Sequence, residues 1–178
     1  MRRVALLRAV NVGGAKVIMA ELRAMMETAG FSGVQTLLQT GNLVFDAPAG
    51  ADAETEARIE AALKTSFGIE TDVIVRTAKE WDAVIADNPM TAEAKADPSH
   101  LVVMPLKTPV DAAALERLRA VIKGRETVEI AGRTLYAFYP DGIGTSKLLI
   151  TVIERQLDAK TTGRNWNTAL KLQALANA

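Results

Sequence analysis

The side chains that could do chemistry in this chain cluster in four places, and the first two are glycine loops. Asn11-Val12-Gly13-Gly14-Ala15-Lys16 follows an apolar run. Glycine lets backbone amides come close to a ligand, and Lys16 can neutralise an anion. The dinucleotide fingerprint, G-x-G-x-x-G opening a helix with an acid about 20 residues on, is not met. The plainer alternative is a tight connection that needs positive φ. Gly142-Ile143-Gly144-Thr145-Ser146-Lys147 follows an expected strand and opens an expected helix. Free amides and the positive helix end favour an anion there, with Ser146 adding a hydroxyl and Lys147 a charge. The order differs from a phosphate-binding Gly-Lys-Ser/Thr loop, so ATP hydrolysis is not supported. The competing reading is ordinary capping by Thr145, with Lys147 on the solvent face.

The third place is Arg164-Asn165-Trp166-Asn167. Arginine offers a planar fork for phosphate or carboxylate, and asparagine can read amide-like edges. Alternatively, Asn165 caps the last helix while Trp166 anchors it. The fourth is Arg8 with Gln39, Thr40 and Asn42. A charge in an apolar strand is costly without a partner, and these polar side chains can converge in a βαββ unit. The other reading of Arg8 is a salt bridge or an exposed edge.

What is missing narrows the chemistry further. The chain has no Cys and one His, so thiolate zinc, cysteine nucleophiles and His-rich metal sites are excluded. No G-x-S-x-G elbow marks a hydrolase serine. No acidic pair recurs at metal-binding spacing, and Asp52, Glu54 and Glu56 read as an acidic helix start on the solvent side. Tyr139, Asp141 and Lys147 can transfer protons by type, without forming a recognisable constellation. The motifs name no cofactor and no metal.

These residues need a scaffold. The chain has 178 residues, with 21 basic and 21 acidic side chains and 49% apolar residues. That is ordinary globular composition, sufficient for one domain or two small halves. Arg8 interrupts the N-terminal apolar run too early for a signal peptide, and no run is long enough to span a membrane. The expected location is cytoplasmic. Residues 1–89 carry nine basic and twelve acidic groups, and residues 90–178 carry twelve and nine. A modest positive face on the second half follows, far from the excess of a dedicated nucleic-acid binder.

The periodicity predicts strands at 3–10, 34–39, 42–46 and 71–76, with helices at 19–29 and 53–67. That order, βαββαβ, is a ferredoxin-like unit. Thr77 and Glu80 form a capping box for a short helix. Residues 88–98 read as a loop. Strands follow at 100–106, 126–130 and 134–139, and helices at 108–123, 146–157 and 165–175. Thr108-Pro109-Val110-Asp111 supplies the first of those helices with an N-cap signal. The halves divide at 77/78, each α+β, with mixed or antiparallel sheets and an extra C-terminal helix.

Five segments together resemble one family. They are 5–14, 19–23, 38–45 (Leu38-Gln39-Thr40-Gly41-Asn42-Leu43-Val44-Phe45), 139–148 (beginning Tyr139-Pro140-Asp141-Gly142) and 162–168 (Thr162-Gly163-Arg164-Asn165-Trp166-Asn167-Thr168). They are similar to the bacterial family catalogued as domain of unknown function 1697. The resemblance implies a soluble bacterial protein with two ferredoxin-like halves, and implies no activity. Two positions depart from the family pattern: Ala9, where Gly is usual, and Gly163-Arg164, where Thr-Arg is usual.

The leading functional expectation is a small anionic, phosphate-bearing ligand held by the two glycine loops, with Arg8, Lys147 and Arg164 neutralising charge. The alternatives are an interaction scaffold, a weak nucleic-acid module using the second half, and an enzyme built on Lys147 with Asp141 or Tyr139. An RNA-stacking platform is disfavoured, because 42–45 offers one aromatic and lacks the required motif. Subunit count is not readable.

Overall fold

A chain with two βαββαβ patterns must bury two sheets, and the computed structural model, which describes residues 1–11 and 16–178, shows both. They fall in two units, Met1–Asp82 with Leu172–Ala178, and Ala83–Lys171.

In the first unit β1 (Arg2–Leu7), β2 (Ser32–Leu37), β3 (Asn42–Asp46) and β4 (Val73–Thr77) form a sheet ordered β2-β3-β1-β4. Every pairing is antiparallel. Helices α1 (Met19–Thr28) and α2 (Asp52–Phe67) put Leu22, Met26, Ile59 and Leu63 against Ala5, Leu7, Phe45 and Val75. Val4, Leu6, Val44 and Ile74 alternate with those strand residues and are buried too. A strand buried on both faces reads as a continuous apolar run, as β1 does. Helix α2 stops at Gly68, whose φ of +66° supplies the left-handed cap.

In the second unit β5 (Leu101–Pro105), β6 (Thr127–Ala131), β7 (Thr134–Phe138) and β8 (Arg164–Asn165) form a sheet ordered β6-β7-β5-β8, again antiparallel throughout. With α5 (Ala114–Val121) and α6 (Ile150–Leu157) the order is βαββαβ, the same topology as the first unit. The sequence reading lacks β8, because two residues carry no alternation to detect.

In chain order α3 (Ala78–Ala86) and α4 (Thr91–Ala96) follow β4 and precede β5, and α7 (Trp166–Ala176) is the last element. The capping box at α3 is reciprocal: Thr77 N–H donates to Glu80 at 2.7 Å and Glu80 N–H to the Thr77 hydroxyl at 3.1 Å. Helix α4 corrects the expected loop at 88–98; the buried Asn88 accepts the Met90 N–H at 2.8 Å just before it.

Two helices start later than the sequence predicts. Asp111 accepts the Ala113 N–H at 2.9 Å and forks with Arg117, which holds a turn open until Ala114. Ser146 accepts the Leu148 N–H at 3.0 Å, and Leu149 stays extended (ψ 157°), so α6 begins at Ile150. Local side-chain bonds compete with the helix in both cases.

The acidic start of α2 also differs from expectation. Asp52 binds the fully buried Arg3 guanidinium, and Glu56 is buried, so neither is a solvent-side charge. Glu56 accepts the Val75 N–H at 3.0 Å, and Glu60, one turn on, accepts Val73 N–H at 2.9 Å. Strand β4 is an edge, and these carboxylates occupy backbone donors that an edge otherwise leaves open. The second unit repeats the device: Glu154 of α6 accepts the Thr161 N–H at 3.3 Å, just ahead of β8.

The two family departures have physical consequences. Ala9 adopts φ +56°, a left-handed conformation that glycine takes freely. At Gly163 a Cβ would lie 2.6 Å from Val102 Cγ1, so this chain's own Val102 occupies the space a threonine needs.

Replacing Ala9 with Gly should therefore stabilise the protein by about 0.5–1 kcal/mol, after glycine's extra unfolded-state entropy is set against relief of the strain. Urea melts measure it, and a destabilised variant would contradict the assignment. Glu56→Ala should cost about 1–3 kcal/mol in the same melts, because it leaves the Val75 N–H buried without its carboxylate.

Candidate functional site

The sequence-predicted residues among those described fall in both units. In the first unit Arg8 is half-buried just past β1, with its N–H on the Asp72 carbonyl at 3.0 Å. Asn11 spends its amide on backbone: it donates to the Gln39 carbonyl at 2.6 Å and the Val17 carbonyl at 3.2 Å, and accepts Val17 N–H at 2.7 Å. It closes the loop rather than presenting an amide to a ligand. Asn42 is fully buried and donates to the Leu37 carbonyl and the Thr40 hydroxyl, which fixes the β2–β3 turn. Gln39 and Lys16 are exposed. Gly13 and Gly14 lie outside the described residues.

In the second unit Arg164 is buried and donates to the Thr162 hydroxyl at 2.8 Å and the Gly163 carbonyl at 2.9 Å. Burial pushes its guanidinium down to about 10. Asn165 accepts the Thr168 N–H at 3.0 Å and caps α7. Neither lines the groove described below. Tyr139 is buried with its hydroxyl on the Leu148 carbonyl at 3.0 Å, and burial holds its proton far above the phenolic range. Asp141 is paired with Arg125, whose hydrogen bonds hold its carboxyl below the usual value. Tyr139, Asp141 and Lys147 therefore do not form a proton-transfer set.

The loop 142–147 does lead to a site. Gly142 takes φ +86° and Gly144 is exposed with open space around its α-carbon. Because α6 begins only at Ile150, this loop does not run straight into a helix N-terminus, and the expected dipole contribution is lost. Instead, Lys147 borders a groove of about 300 Å³. Lys123, just past α5, and Arg155 on α6 stand around the same groove. Its apolar floor includes Ile122, Leu148 and Val152, and Glu126 lies in its wall. The volume is at the lower end of small-molecule sites, with their usual mixture of apolar lining and few polar groups.

Lys123, Lys147 and Arg155 are exposed, and among the described residues no ion pair or hydrogen bond holds them. Glu126 is half-buried and accepts the Ser146 hydroxyl at 2.6 Å. Ser146 in turn accepts the Leu148 N–H, so its oxygen is bonded on both sides. A Cβ on Gly124 would collide with the Glu126 carboxylate, so glycine there makes the room it occupies.

Sequence reasoning named Ser146 and Lys147 and did not name Lys123, Glu126 or Arg155. The legible signal was Val152 and Arg155, three apart on α6 and so on one face beside Lys147-Leu148. Glu126 gave no signal, because its role depends on a fold-dependent meeting with Ser146. Among the described residues no cluster of three metal-ligating side chains occurs, and no helix is long and apolar enough to cross a membrane.

The fold and these charges define an α+β protein of two ferredoxin-like units. The chain belongs to the family described as "Protein of unknown function (DUF1697)", whose model matches residues 1–136. It is also similar in structure to a conserved bacterial protein, SP0830 from Streptococcus pneumoniae. That likeness has a TM-score of 0.77 at 20% identity and covers 98% of each chain. Among curated proteins no match was found. The family match contains Lys123 and Glu126 and stops before Lys147 and Arg155.

The Arg125–Asp141 pair beside Gly142 predicts a pH response. Asp141's folded pKa lies below its ordinary 3.8, so its contribution is present above that value and lost as pH falls through it. Asp141→Asn should flatten the loss of stability between about pH 5 and pH 2 in urea melts. An unchanged slope would show that the pair contributes nothing.

Proposed function

We propose that this protein binds a small anionic ligand in the groove of the second unit. The observation that carries the reading is three exposed cations, Lys123, Lys147 and Arg155, standing without ion pairs around an apolar floor. Unpaired lysine and arginine on a bare surface are ordinary. Three of them round one concave apolar site favour a ligand with an anionic group and an apolar body. Phosphate and carboxylate both satisfy the cations. Arg155 adds a fork that suits either, and the lysines add point charges. The first-unit loop at 11–16 is not needed for this reading, since Asn11 is occupied by backbone.

Nucleic acid fits less well. No aromatic lines the groove, so a base has nothing to stack on. No observation favours a pure scaffold. A chain without cysteine requires no oxidising compartment, and we place this function in the cytoplasm.

Calorimetric titration with inorganic phosphate, hexyl phosphate and hexanoate tests the reading. Binding of at least one should saturate and weaken as salt rises. Lys147→Ala and Arg155→Ala should each weaken it about fivefold, roughly the effect of one exposed charge contact. No saturable binding by any of the three compounds would reject the proposal.

A further inference from the structure

The groove holds one feature that a simple anion site does not need. Glu126 sits in its wall with three cations around the same space, yet no cation lies within ion-pair distance of it among the described residues. Its only hydrogen bond among them is from Ser146. The carboxylate is also placed deliberately: the Ser146 hydroxyl orients one oxygen, and the missing side chain of Gly124 leaves room for the group. Val121 and Ile122, where α5 ends, also line the groove. Carbonyls at a helix C-terminus add partial negative charge. The groove therefore combines three cations, a carboxylate that pairs with none of them, and an apolar lining.

A plain anion seated here would exclude water from a carboxylate and leave two negative groups facing each other, a costly arrangement. A ligand that brings its own ammonium removes that cost. Resting on the anion-binding reading above, we infer that the groove takes an amphipathic zwitterion. Its anionic group meets Lys123, Lys147 and Arg155, its ammonium meets Glu126, and its aliphatic body lies over Leu148 and Val152. Glu126 is then the residue that selects the ligand, through rejection of simple anions as much as through attraction.

Three probes with the same carbon chain separate the contributions: norleucine carries both charges, hexanoate lacks the ammonium and hexylamine lacks the carboxylate. Titrated into the full-length protein, norleucine should bind about tenfold tighter than either of the others, the range expected for one desolvated charge contact. Glu126→Gln keeps an oxygen to accept the Ser146 hydroxyl, so the loop is preserved. In that variant norleucine's advantage should disappear while hexanoate binds as well as before or better. Lys147→Ala should weaken norleucine and hexanoate alike. Hexanoate binding as tightly as norleucine to the unmodified protein would overturn the zwitterion assignment and leave the anion site standing. So would an advantage that survives Glu126→Gln. Binding of hexyl phosphate with neither norleucine nor hexanoate bound would overturn the zwitterion assignment alone, and absence of binding by all of these compounds would overturn the two together.

Discussion

A strand that is bonded on both edges and buried on both faces tolerates almost no polar group. Strand β1 lies between β3 and β4, and β5 lies between β7 and β8. Leu101 to Pro105 are all buried, as are Arg3 to Leu7. Of the two arginines of β1 only Arg3 is fully buried, and Asp52 and the Gly50 carbonyl reach it from the segment that opens α2. Strand β5 admits no charge at all. The groove of the second unit takes its charges from outside these strands: Lys123 and Glu126 after α5, Lys147 before α6 and Arg155 on α6.

The same constraint explains what was legible in the sequence. Continuous apolar runs at 4–7 and 101–105 announce central strands, and 3.6-residue periodicity announces α1 and α2. The Thr77–Glu80 box and the stop at Gly68 are local chemistry, visible without a fold. Strand β8 was invisible because pairing with β5, not its own residue pattern, makes it a strand. The starts of α5 and α6 were misplaced because Asp111 and Ser146 bond to nearby amides and delay the helix, a competition that propensity does not resolve.

The candidate site shows the same division. Asn11, Asn42, Arg164 and Asn165 are polar residues in suggestive positions, and each proves to be bonded to backbone or to a neighbouring hydroxyl. A polar side chain near a turn most often serves the turn. Lys147 differs because nothing nearby claims it. Its neighbours in the groove, Lys123 and Arg155, come from segments 24 and 8 residues away in sequence, and the packing of α5 against α6 and β6 assembles them.

The route of the chain through its two units has a consequence for how the protein is made. The chain leaves the first unit at Asp82 and rejoins it at Leu172, where Gln173 and Asn177 both donate to the Asp82 carboxylate. The first unit is thus encoded in two pieces with the second unit inserted between them. During synthesis, β1 to β4 leave the ribosome long before their last structural partner does. The second unit is contiguous and can mature as soon as β8 emerges. The order of synthesis and the order of completion are therefore reversed: the unit begun first is finished last.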